Sequence, residues 1–195
     1  MLFDIVYETN YWGNGSGSGS SETLCQDYVA FLQNFFTTYN ITSIVDAGCG
    51  DWQFSKNINF NGIKYQGFDV ASFVINANTR AYAKENISFE LYDGDFNKLP
   101  SADLLLCKDV LQHLPIAKIK EFIGILSKFK YALITNDIGK NNNTEILPTQ
   151  GRTLDLRQEP FNLECSIVFE INENHPKNWG IESKPVMLWK NPKYL

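Results

Sequence analysis

Ile44-Val45-Asp46-Ala47-Gly48-Cys49-Gly50 is the stretch on which the reading of this chain turns. An apolar strand runs into an acid and then into two glycines, ahead of a segment that reads as a short helix. Gly48 and Gly50 permit a tight turn and let a ligand approach the backbone, while a helix start offers free N–H groups. Taken alone, the same turn is also an ordinary strand-to-helix connection.

Its neighbours give the turn more meaning. Asp69 ends the next apolar run, Tyr65-Gln66-Gly67-Phe68-Asp69, and an acid at the tip of a second strand is where both ribose hydroxyls of a nucleoside are held. Asp95, in Asp93-Gly94-Asp95-Phe96, follows the third strand, where a carboxylate accepts from an adenine amino group while Phe96 packs on the ring. Three acids at successive strand tips point to a nucleoside. A nicotinamide dinucleotide competes as ligand, but its fingerprint needs a third glycine or an alanine where this chain has Gln53.

Outward from the turn, short apolar runs alternate with helical patterns, the rhythm of a parallel sheet. Strands are predicted at 43–47, 64–68, 87–91, 103–107 and 131–135, with closing strands at 165–171 and 186–190. Helices are predicted from near Ser21, after Gly50, over 71–84 and from Pro115. Leu24, Tyr28, Phe31, Leu32, Phe35 and Phe36 form the apolar stripe of the first helix. The fold expected is α/β, Rossmann-like, with a mostly parallel seven-stranded sheet and helices on both faces. One domain over 1–195 is expected, with a glycine- and serine-rich arm or lid over 1–21 and an irregular acceptor-side segment over 137–163.

Composition narrows the function. The chain has 195 residues, 44% hydrophobic and 20% charged, which suits a globular protein with a substantial core. A formal charge of −5 argues against long nucleic acids, whose binders display clustered Lys and Arg. The four cysteines, Cys25, Cys49, Cys107 and Cys165, form no CxxC pair, so reduced thiols and a cytoplasmic location are expected. No apolar run reaches the roughly 18 residues of a membrane span, and no basic-then-apolar leader opens the chain.

From Ser43 to Asn136 the chain resembles the class I S-adenosylmethionine-dependent methyltransferases, whose first motif reads roughly (D/E)xGxGxG. The resemblance implies S-adenosylmethionine as cofactor. It implies that Asp46, Gly48 and Gly50 approach the methionine part, that Asp69 holds the ribose, and that Asp95 and Phe96 meet adenine. Leu104 to Leu114 looks like the fourth motif, with Lys108 beside the cofactor and Asp109 and His113 against the acceptor. Trp52 departs from the pattern, standing where the third glycine is common.

The segments Trp12–Ser20 and Gly151–Leu163 are similar to those of small bacterial methyltransferases found with capsule and polysaccharide sugar biosynthesis. That implies a small-molecule acceptor, a sugar hydroxyl, in some cases nucleotide-activated; an N-methyltransferase of proteins or small molecules and a noncatalytic cofactor-binding protein are the alternatives. Methylating a hydroxyl benefits from a general base, and His113 and Asp109 are the candidates. A cap or packing role is the alternative for His113, and His175 reads as a surface residue. Trp12, Arg152 and Arg157 are the candidate substrate contacts, the arginines as holders of a phosphate or as surface ion pairs. O-methyltransferases of the catechol type hold Mg²⁺ with an acid after the fourth strand and an Asp-Asn pair after the fifth. Asp109 and Asn136-Asp137 offer such oxygens in reversed order, and no metal is expected.

Overall fold

Leu104-Leu105-Leu106-Cys107 is apolar without alternation because its strand is covered on both faces, and each of these residues is buried. The computed structural model describes residues 2–147, 150–171 and 181–194. The strands are β1 Ser43–Ala47, β2 Lys64–Asp69, β3 Ile87–Leu91, β4 Ala102–Lys108, β5 Phe129–Thr135, β6 Ile138–Gly139, β7 Ser166–Glu170, β8 Ile181–Ser183 and β9 Pro185–Lys190. The sheet order is β3-β2-β1-β4-β5-β9-β7, and β6 pairs with β8 apart from it. The pairs among β1 to β5 are parallel, while β9 runs antiparallel to both β5 and β7.

The helices are α1 Leu2–Glu8, α2 Gln26–Thr38, α3 Ser72–Tyr82 and α4 Ile116–Ile125. One apolar cluster joins Tyr28, Leu32, Phe35 and Phe36 of α2 and Ile75 of α3 to Ile44, Tyr65 and Leu104 of the sheet. The other joins Ile119, Phe122 and Ile125 of α4 to Val45, Leu105 and Ile134. Alternate side chains of a strand enter opposite clusters, and each large one contributes about 1.5–3 kcal/mol on burial.

The seven-stranded, mostly parallel sheet with covering helices is the architecture expected. The differences lie at element ends and in short elements. Residues 22–25 form turns, so α2 starts at Gln26. Only the 3₁₀ turn Ser55–Asn57 follows the Gly50 loop, and Pro115 stands at the N-cap of α4. Helix α1 and the β6–β8 pair lie in stretches whose sequence predicts neither, and His175 falls outside the described residues.

Strand order reverses between β1 and β4, so the loops after them diverge and open a crevice at the carboxyl edge of the sheet. This switch point is where open α/β sheets bind ligands.

Candidate active site

The floor of the crevice is the turn after β1. Gly48 N–H and Cys49 N–H both donate to the Phe68 carbonyl of β2, at 2.8 and 3.0 Å. Gly48 and Gly50 have φ of 87° and 54°. A Cβ on Gly48 would stand 2.3 Å from Val110 Cγ2, and one on Gly50 would stand 2.4 Å from Ser16 Oγ. Both places therefore require glycine, for backbone conformation and for space. Trp52 keeps a left-handed φ of 59° without being glycine.

Above this turn lies a cavity of about 470 Å³. Asp46 and Asp69 line it, each 7% exposed. The Asp46 carboxylate accepts from Tyr65 OH at 2.7 Å, and that hydroxyl accepts from Trp52 Nε1 at 2.9 Å. Asp69 accepts from Gly50 N–H at 3.0 Å and from Ala71 N–H at 2.9 Å, so one carboxylate fixes both the glycine turn and the start of α3. Burial pushes Asp46 up to about 7 and Asp69 up to about 6. Two buried acids among aromatic walls favour a ligand that brings hydroxyl donors and positive charge.

The opposite wall follows β4. Lys108 Nζ lies 2.5 Å from Asp109 Oδ2 and donates to the Gly19 carbonyl at 2.7 Å. Lys184 Nζ approaches the same Asp109 oxygen at 3.1 Å. Burial would raise the Asp109 carboxyl, but the two ammonium groups outweigh it and hold the group well below the usual carboxylate range. His113 ends the 3₁₀ turn Leu111–His113 and lines the cavity. Its Nδ1 is 3.1 Å from the Gln150 carbonyl. A carbonyl only accepts, so Nδ1 carries the hydrogen and Nε2 keeps a lone pair. Burial lowers the imidazole pKa, which keeps the ring neutral near pH 7.

The amino-terminal residues complete the enclosure. Asp4 Oδ1 accepts from Ser72 Oγ at 3.1 Å and from Phe73 N–H at 3.2 Å, anchoring α1 at the start of α3. Ser16 N–H donates to Asp51 Oδ2 at 3.1 Å, and Asp51 N–H donates to Ser16 Oγ at 2.9 Å. Phe3, Tyr7 and Trp12 thereby enter the cavity wall. The Trp12 ring lies 5.4 Å from the His113 ring, tilted by 32°. The glycine- and serine-rich stretch is thus a wall segment tied to the glycine turn.

The cavity gathers Asp46, Gly48, Gly50, Asp69, Phe96, Lys108, Asp109, His113 and Trp12. Asp95 is not among its lining residues: its carboxylate accepts from Asn97 N–H at 3.0 Å, while Asp93 and Gly94 face the cavity. Arg157 is bound bidentately to buried Asp155, at 2.9 and 2.8 Å. Arg152 donates to the Leu114 carbonyl at 2.7 Å, and its Nε and Nη1 are closed off from solvent. Neither arginine lines the cavity: Arg157 is held in an ion pair with Asp155, and Arg152 is held through a loop carbonyl. Tyr7, Tyr28, Tyr92, Asp93 and Val110 are lining residues that the sequence reading missed. The apolar spacing of α2 marks Tyr28 only as core, and α1 is too short to give a periodic signal for Tyr7.

Residues 15–138 match a family model described as an O-methyltransferase domain. Among solved structures, the methyltransferase domain of bacterial CtHen1 is 15% identical, with a TM-score of 0.62 over 86% of this chain and 99% of that one. Magnesium protoporphyrin IX methyltransferase from Synechocystis PCC 6803, solved with bound SAH, is 14% identical, with a TM-score of 0.63 over 95% of each chain. The N-terminal domain of EvdMO1, solved in the presence of SAH and D-fucose, is 12% identical, with a TM-score of 0.59 over 85% of this chain and 83% of that one. These likenesses establish the fold. No curated protein matches the sequence. The family match runs from the glycine-rich wall segment through β5 and covers more than half of the chain: this protein belongs to the O-methyltransferase domain family and is an S-adenosylmethionine-dependent methyltransferase.

Proposed function

We propose that this enzyme methylates a hydroxyl of a small polar acceptor, a sugar or nucleotide-activated sugar, with His113 as general base. The observation that carries the reading is His113 itself: a cavity-lining imidazole, kept neutral by burial, whose Nδ1–H is directed to the Gln150 carbonyl. A hydroxyl nucleophile must lose its proton during transfer, and the Nε2 lone pair is positioned to take it. Asp109, engaged by two ammonium groups, is a poor proton acceptor and serves to hold the Lys108–Val110 turn.

S-adenosylmethionine supplies an activated methyl group on a sulfonium centre. The residues present fit it, since a positively charged nucleoside answers the two buried acids and the aromatic walls. Asp69 would hold the ribose; Asp46, Gly48 and Gly50 the methionine end; Asp93, Gly94 and Phe96 the base. Asp69→Ala is expected to weaken binding by about 1.5–3 kcal/mol, as for hydrogen bonds to a charged group. Calorimetry with S-adenosylhomocysteine checks this, and unchanged affinity in a folded variant would remove Asp69 from the site.

Affinity should also depend on pH. Asp69 near 6 and Asp46 near 7 retain protons close to neutrality in the ligand-free protein. Below about pH 7 the ligand's ammonium stays protonated and its positive charge favours the ionised carboxylates, so binding should tighten from about pH 5.5 to 7 with proton release. Titrations with S-adenosylmethionine in buffers of different ionisation enthalpy measure that release. Affinity that weakens as pH rises would contradict the placement.

The sugar class is supported by the half-buried face of Trp12 beside His113, a flat surface for the C–H side of a sugar ring. The resemblance of both terminal segments to enzymes of capsule sugar synthesis supports it too. A structural neighbour solved in the presence of D-fucose points the same way. Transfer of a labelled methyl group to a panel of free and nucleotide-activated sugars, beside amine acceptors, tests the reading. Label on amines alone would overturn it in favour of N-methylation.

A further inference from the structure

Asp109 and Asp137 follow neighbouring parallel strands, β4 and β5, and their carboxylates meet at one ammonium. Lys184 Nζ lies 3.1 Å from Asp109 Oδ2 and 3.3 Å from Asp137 Oδ1, and Lys184 is 5% exposed. This lysine is the single residue between β8 and β9, and its carbonyl accepts from Ile171 N–H at 3.0 Å. Gln112 fixes the second acid, donating to Asp137 Oδ2 at 3.2 Å and accepting from Asp137 N–H at 2.8 Å. Lys184 is the cation that reaches both carboxylates, while Lys108 reaches only Asp109. Oxygen donors of this kind are what a hard divalent ion takes.

Here the charge is covalently attached to the chain. We infer that Lys184 is the resident cation of the Asp109–Asp137 pair, a positioning residue that does at the tips of β4 and β5 what a divalent metal would do there. It holds Asp109, whose φ of 58° is a left-handed conformation that its contacts must maintain. Asp109 in turn sets Val110, whose side chain packs against Gly48 at the cofactor turn. A chelator cannot remove such a cation, so EDTA leaves cofactor binding unchanged.

The test uses no acceptor, so its outcome is separate from that of the sugar reading. Mn²⁺ uptake is followed by electron paramagnetic resonance, and affinity for S-adenosylhomocysteine by calorimetry. Wild-type protein is expected to leave the free Mn²⁺ signal unchanged. Lys184→Ala is expected to bind S-adenosylhomocysteine about 10-fold more weakly, the scale of one lost hydrogen bond to a charged group. It should take up one Mn²⁺ per chain, recover most of the lost affinity with it, and lose that uptake when Asp137→Asn is added. Should Lys184→Ala fail to fold, Lys184→Met keeps the packing volume and is read in the same way. A wild-type protein that binds one Mn²⁺, or a folded lysine variant that takes up none, overturns the inference.

Discussion

Replacing His113 by alanine is expected to lower methyl transfer to a hydroxyl acceptor by about 10²- to 10⁴-fold, with cofactor affinity nearly unchanged. The size follows from what a positioned base contributes. The selectivity follows from geometry, because His113 stands on the β4 side of the cavity, across the crevice from Asp46, Asp69 and the glycine turn. Burial lowers the imidazole pKa below its ordinary value. Its neutral form therefore persists to lower pH than that of a free histidine, and the acid limb of the rate profile should lie below about pH 6.5. Asp109 provides the contrast. Two ammonium groups share one of its oxygens and keep it ionised, so it draws a proton weakly. Turnover against pH for His113→Ala and Asp109→Asn separates the two. Wild-type turnover in a folded His113→Ala would make the histidine structural, and an Asp109→Asn variant that keeps cofactor affinity but loses turnover would make the acid the base.

The contrast between these residues also marks where sequence reading stops. The strands were legible as short apolar-rich runs alternating with helical patterns, most clearly in Leu104–Cys107, and the end of β1 stood out because an acid and two glycines close it. Asp69 was legible for the same reason, standing at a strand tip. In Asp93-Gly94-Asp95 the strand tip is clear, but the facing acid depends on the path through Gly94. With its φ of 82°, the chain presents Asp93 and leaves Asp95 to cap the next turn. Arg157 lies two residues from the acid that neutralises it, yet only the fold shows that Asp155 is buried and needs that partner. Lys184 carries no local signal, because its meaning comes from Asp109, 75 residues away. Of the aromatic wall, Trp12 was singled out but Phe3 and Tyr7 were hidden, because α1 has seven residues, too few for a periodic pattern, and is held by contacts with the start of α3 and with Ser16.

Trp52 is where the sequence departs from the glycine pattern of its family, and its removal should cost stability rather than shape. The ring is 4% exposed and packs against Phe60, Tyr65, Tyr82 and Phe89 at centroid distances of 4.9 to 5.8 Å. Truncating a buried aromatic of this size costs about 3–5 kcal/mol. Glycine at this position relieves the left-handed φ of 59°, returning about 1 kcal/mol that alanine cannot. Trp52→Ala is therefore expected to lose about 3–5 kcal/mol and Trp52→Gly about 2–4 kcal/mol. In both variants Tyr65 OH loses the donor at Trp52 Nε1 but still donates to Asp46. The turn itself is held by hydrogen bonds from Gly48 and Cys49 to Phe68 and from Gly50 to Asp69, none of which involves the indole. Cofactor affinity in the glycine variant should accordingly stay within about threefold of wild type, as expected where no hydrogen bond at the turn is lost. Urea unfolding with a parallel S-adenosylhomocysteine titration measures both quantities. A glycine variant as stable as wild type would mean that the ring is dispensable and that the left-handed backbone alone shapes the turn.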